Sequence, residues 1–225
     1  RFLRAFVVIR NGGFRDQVNN ATTLSQYIRH LRKRHKSIWL AQREGRAKDG
    51  NDVTQAGVLK MLTIDAENFF ESVKELNICP VSISYEYDPC DYLKAREMQL
   101  KRDNPTWKKS RKDDLVSMQV GINGQKGRIV YRLTPSINHD IDQLLALHPE
   151  MLDKSRNEQI QCVCQIIDQH IHAAYEIYPR GKEFDAYIDS RLQMIHLSNK
   201  DESYLRERLY EMYNYPVLNH EKAVN

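Results

Sequence analysis

Apolar positions along the chain follow two rhythms. Phe2 to Ile9 is apolar and β-branched apart from Arg4, which predicts a strand. Ile38, Trp39 and Leu40, inside Ser37 to Ala41, predict a second, short and buried. A third is expected over Ile78-Cys79-Pro80-Val81-Ser82-Ile83-Ser84-Tyr85, with the proline near its entry, where a missing donor costs least. Arg128 to Thr134 reads as an edge strand stopped by Pro135. Between these runs the spacing is helical. Thr22 or Thr23 caps a helix to about Arg34 carrying Leu24, Ile28 and Leu31 on one face. Thr54 to Phe70 is helical and continues to Leu76, and Asp91 to Ser117 gives two helices broken at Asn104-Pro105. The recurring strand, helix, strand order predicts an α/β domain over residues 1–135, a central mixed sheet flanked by helices. From Ser136 the pattern is helical throughout, at Ile141 to Leu147, Glu158 to Tyr178 and Tyr204 to Tyr213, so residues 136–225 form a helical C-terminal extension.

Charge collects where the predicted strands end. The first runs into Arg10-Asn11-Gly12-Gly13-Phe14-Arg15, and the second into Arg43-Glu44-Gly45-Arg46-Ala47-Lys48-Asp49-Gly50. Ligands of open α/β sheets bind at such strand ends. Paired glycines let backbone N–H groups approach an anion, and arginine grips a phosphate with two hydrogen bonds. Two cationic loops converging on one phosphate would orient a neighbouring hydroxyl for attack; the alternative is a pair of solvated loops. Arg29, His30, Arg32, Lys33, Arg34, His35 and Lys36 make the densest cationic run, either a solvated face or a patch that meets anionic headgroups or nucleic acid.

Composition adds limits. With 225 residues, 41% hydrophobic and 28% charged, the chain is long enough to bury a core, and its net charge of +4 permits anionic partners without specifying one. Four cysteines without framework spacing indicate a reducing compartment. No apolar run approaches the roughly 18 residues that span a bilayer. The chain starts at Arg1 and enters a strand at once, so further sequence is expected upstream. Cys164, Asp168 and His172 share a helix face at i, i+4, i+8, but no second element supplies ligands, so no metal site is expected.

Residues 1 to roughly 135 resemble the glycerol-3-phosphate and lysophosphatidate acyltransferases, most closely a bacterial branch with an Arg-Glu-Gly-Arg motif. Three of that family's four ordered blocks have counterparts: the strand ending in arginine in Phe6-Val7-Val8-Ile9-Arg10, the Glu-Gly block in Arg43-Glu44-Gly45-Arg46, and the proline in an apolar strand in Ile78-Cys79-Pro80-Val81. The Glu-Gly block departs from the usual form, which has Pro before it and Thr-Arg after. The resemblance implies transfer of a fatty acyl group from acyl-CoA or acyl carrier protein, as co-substrate, to a glycerol-phosphate or lysophosphatidate hydroxyl in phospholipid synthesis, with neither metal nor cofactor. It implies phosphate binding by Arg10, Arg43, Glu44, Gly45, Arg46 and Lys48, with Gly12, Gly13 and Pro80 shaping the loops. The family's histidine base and its aspartate, in His-x-x-x-x-Asp, would lie upstream. The one such spacing here, His148 to Asp153, follows the other blocks and is set aside. The implied place of work is the cytoplasmic face of a bacterial inner membrane, against anionic lipid, with the protein peripheral or anchored from outside this chain and with no nucleic acid. A non-catalytic module binding anionic lipid or nucleic acid through Arg29 to Lys36 and Lys108 to Lys112 is the alternative.

Overall fold

The computed structural model describes residues 13–43, 45 and 47–225. The helices are α1 (Phe14–Lys33), α2 (Ala56–Leu62), α3 (Phe69–Leu76), α4 (Asp91–Asp103), α5 (Arg111–Asn123), α6 (Asn138–Leu147), α7 (Arg156–Ala173), α8 (Glu183–Gln193) and α9 (Glu202–Val224), with a 3-10 turn at Pro149–Leu152. The strands are β1 (Val81–Tyr85) and β2 (Ile129–Leu133), which pair antiparallel.

This corrects the expected architecture. Among the described residues the chain is mainly helical, and a two-stranded antiparallel sheet stands where a central mixed sheet flanked by helices was predicted. The reason is pairing. Ser37 to Ala41 has the alternation of a strand, with Trp39 exposed between the half-buried Ile38 and Leu40, but no described strand supplies its ladder. Ile38 and Leu40 pack instead on a helical cluster of Leu24, Ile28, Leu62 and Leu76. Ile78 to Pro80 also stays outside the sheet, and the predicted strand at Phe2 to Ile9 lies outside the described residues.

The chain forms two compact units. The first takes residues up to Gly45, Val53–Pro80 and Pro135–Asp168. Its α1 begins at Phe14, well before Thr22, because Gly13 serves as N-cap and Asp16 reaches back to it, Oδ2 accepting from the Gly13 N–H at 3.1 Å. The Ser25 hydroxyl donates to the Leu62 carbonyl at 3.0 Å. Arg29 leaves the cationic run by turning inward: Nη1 lies 2.9 Å from Glu75, and Nη2 donates to the Leu62 carbonyl and the Ser72 hydroxyl. Asn68 caps α3, accepting from the Glu71 N–H at 3.2 Å, and Asn77 ends it in the left-handed region at φ 52°. Lys74 joins α3 to α6 through Asp142 at 2.9 Å, and Ile137 and Ile141 are fully buried.

The second unit takes Arg46–Asp52, Val81–Thr134 and Gln169–Asn225. Its core is built by α4, α8 and α9 from Ala95, Phe184, Ile188, Leu192, Leu205 and Leu209. Fully burying such an aliphatic side chain contributes about 1.5–3 kcal/mol. The sheet in this unit is inverted. Ser82 and Ser84 are its buried residues, and Ser84 Oγ accepts from the Glu176 N–H at 2.9 Å. The apolar side chains of Ile83, Tyr85, Ile129, Tyr131 and Leu133 occupy the opposite face, where Tyr131 is 61% and Leu133 72% exposed.

Candidate functional site

Of the sequence-predicted residues, Arg10, Gly12, Glu44 and Arg46 lie outside the described ones. In the first unit, Arg43 is half-buried, and Gly45 adopts φ +76° with nothing within 4 Å of the place a Cβ would occupy. Glycine is there for its backbone conformation, and the turn is open to solvent. The Gly13 N–H, a candidate anion donor, is already taken by Asp16. Pro80 is buried just before β1.

In the second unit, residues 47–52 are held at nearly every position. Lys94 Nζ donates to the Ala47 carbonyl at 2.8 Å and pairs with Asp88 at 2.6 Å. Lys48 Nζ lies 2.8 Å from the buried carboxylate of Glu97, whose other oxygen is 3.7 Å from Lys109. The charge of Lys48 is therefore balanced within the unit. Gly50, at φ +82°, lies against the Met212 backbone. Asn51 accepts from Asn219 at 3.1 Å, and His172 Nε2 donates to the Asp52 carbonyl at 2.6 Å, which places the proton on Nε2.

A second polar centre in this unit escaped the sequence reading. Asp91, at the start of α4, is fully buried. One of its oxygens accepts from the Tyr187 and Tyr213 hydroxyls at 2.6 and 2.7 Å, and the other lies 2.5 Å from Arg191. Burial pulls the Arg191 pKa down, but the charge and hydrogen bond of Asp91 outweigh it and the net shift is upward. Burial, then the charge of Asp91, pushes both phenols well above 10. Arg191 also lies over the rings of Tyr92 and Tyr187, and Tyr87, Tyr92, Tyr187, Arg191, Gln119 and Gln125 help line an open cavity of about 750 Å³. With every oxygen occupied, this centre offers no activated nucleophile. It fixes one wall of the cavity. The Asp-Pro-Cys-Asp run before α4 was its only local signal, and it reads as an ordinary helix start.

Among the described residues no group of three or more His, Cys, Asp or Glu side chains is placed to hold a metal. Cys164 is buried, and burial together with the Asp168 charge pushes its thiol up to about 11. Asp168 is occupied by Thr54, accepting from its N–H at 2.8 Å and its hydroxyl at 2.6 Å. His148 faces Glu150, with Nδ1 3.1 Å from Oε1. A thiol reagent at mildly alkaline pH is expected to modify the exposed Cys79 first and to reach Cys90 and Cys164 only on unfolding. Mass mapping of the labelled folded chain checks this, and rapid labelling of Cys164 would contradict the burial. Comparison with known proteins finds no matching family model, no matching curated protein and no matching solved structure.

Proposed function

We propose that this chain belongs to an acyltransferase that moves a fatty acyl group from an acyl thioester to the hydroxyl of a glycerol-phosphate-type acceptor, with Arg10 and the Arg43-Glu44-Gly45-Arg46 segment binding the acceptor's phosphate. The ordered appearance of the three motif blocks carries this reading. It rests on those blocks and not on a sheet. The open turn at Gly45 supports it, since no described atom lies within 4 Å of the place a Cβ would occupy, which leaves room for an anion beside that glycine. In the reaction the acceptor oxygen bonds to the thioester carbonyl carbon, the carbon–sulfur bond breaks, and the hydroxyl proton passes through the family's histidine base to the departing thiol. Holding the phosphate supplies orientation.

The test is thiol release from acyl-CoA and from acyl carrier protein thioester by the full-length protein, with monoacylglycerol phosphate or glycerol 3-phosphate as acceptor. Arg10→Ala and Arg46→Ala are each expected to raise the acceptor KM about tenfold to a hundredfold, the range for losing charged hydrogen bonds, with a much smaller effect on the donor KM. Absence of acceptor-dependent thiol release from either thioester would overturn the assignment. So would release indifferent to both arginines.

A further inference from the structure

We infer that the outer face of α5 docks on an anionic lipid bilayer. This goes beyond acyl transfer: it gives the anionic-lipid contact a defined surface, and it rests on the exposure of α5 and not on the motif blocks. None of the residues of α5 is buried. Leu115, Met118 and Ile122, at i, i+3 and i+7, are 66%, 53% and 73% exposed. Amphipathic helices normally turn such a stripe inward, and a contiguous apolar patch facing solvent marks an interaction surface. The helix is fixed by its cap instead: Ser110 accepts from the Asp113 N–H at 3.2 Å, and Asp113 accepts from the Ser110 N–H at 3.0 Å.

Charge selects the occupant. Lys108, Arg111 and Lys112 are exposed at the start of the stripe, and none is ion-paired to a described carboxylate. The neighbouring acids are committed, Asp113 to the cap and Asp114 to Lys109 at 3.3 Å. Helical geometry puts Arg111 on the same face as Leu115, Met118 and Ile122, within about 60° of arc. A surface that takes apolar side chains and uncompensated cations side by side is a bilayer with anionic headgroups: the cations stay at headgroup level while the three apolar side chains enter the acyl boundary. No described helix is long and apolar enough to cross a membrane.

The experiment is sedimentation of the full chain with phosphatidylcholine vesicles, with and without phosphatidylglycerol, across a salt series. Binding is expected to require phosphatidylglycerol and to weaken with salt. Replacing the cations together, Lys108→Gln, Arg111→Gln and Lys112→Gln, is expected to lower partitioning on the order of a hundredfold. Leu115→Ser with Ile122→Ser is expected to lower it by about tenfold or more while salt sensitivity persists. All five positions are exposed, so unchanged thermal melts accompany these losses. The inference is overturned if the chain stays off anionic vesicles at low salt or if neither set of substitutions weakens binding. It is equally overturned if the stripe variant merely converts a dimer to monomers with lipid binding intact.

Discussion

Asp91→Ala is expected to destabilise the second unit by about 3–5 kcal/mol, the range for removing one partner of a buried ion pair. Arg191, with its side chain 14% exposed, would keep its charge and lose its counter-ion. The Tyr187 and Tyr213 hydroxyls would lose their acceptor at the same moment. Asp91→Asn keeps the shape and one acceptor oxygen while removing the charge, so it is expected to fall between wild type and alanine. The readout is built into the sequence, because the chain has two tryptophans, Trp39 in the first unit and Trp107 in the second. In a Trp39→Phe background, urea unfolding followed by Trp107 fluorescence reports the second unit. A loss below about 1 kcal/mol, the scale of an exposed pair, would sink this account. The phenols add a pH dependence of known sign. Their folded pKa values are raised, so their contribution is complete below the unfolded value of 10.0 and is lost as pH rises above it. Alkali should therefore unfold this unit as its buried tyrosines ionise.

Gly50→Ala is the second large effect expected, about 2–4 kcal/mol. A Cβ at residue 50 would sit 2.1 Å from the Met212 carbonyl oxygen and 2.8 Å from its carbon, atoms of the α9 backbone that do not rotate away. The φ of +82° adds strain for any L side chain. Relief requires residues 47–52 to lift from α9, which would draw Lys48 away from Glu97. Gly45→Ala is the control, since that position has a left-handed φ and open space, and only the conformational cost of about 1–2 kcal/mol applies. Unfolding curves read at Trp107 for Gly50→Ala and at Trp39 for Gly45→Ala separate crowding from conformation. Equal losses at the two glycines would refute the distinction.

Local signals were legible and long-range pairing was not. The break at Asn104-Pro105 falls between α4 and α5, and the edge strand before Pro135 is β2, because proline punctuates a chain whatever surrounds it. The alternation at Ile38 to Leu40 is equally real, but a ladder depends on a second segment distant in sequence, and Ile38 and Leu40 found helices instead. Helix α8 went unseen because its apolar positions Phe184, Ile188 and Leu192 stand among Glu183, Asp185, Asp189 and Arg191, which dilute the periodicity. The Asp91 centre joins residues about a hundred positions apart, and nothing local separates a buried aspartate from one that merely starts a helix. Of the proposed phosphate loop, the glycine conformation at Gly45 was readable from residue type, whereas the commitment of Lys48 to Glu97 was not.

The inverted sheet is expected to show itself in concentrated solution. Its serine side is anchored by the Glu176 N–H and the Tyr178 hydroxyl, while a ribbon of leucine, isoleucine and tyrosine faces water, and no third strand joins the sheet among the described residues. Two such ribbons can stack face to face without either unit unfolding. Association of that kind strengthens in kosmotropic salt and on warming, the opposite of a charge-driven complex. Light scattering at rising concentration is expected to detect such association, with Tyr131 and Leu133 as its main contributors. A lysine at either position would keep the chain dispersed while leaving its melting temperature nearly untouched.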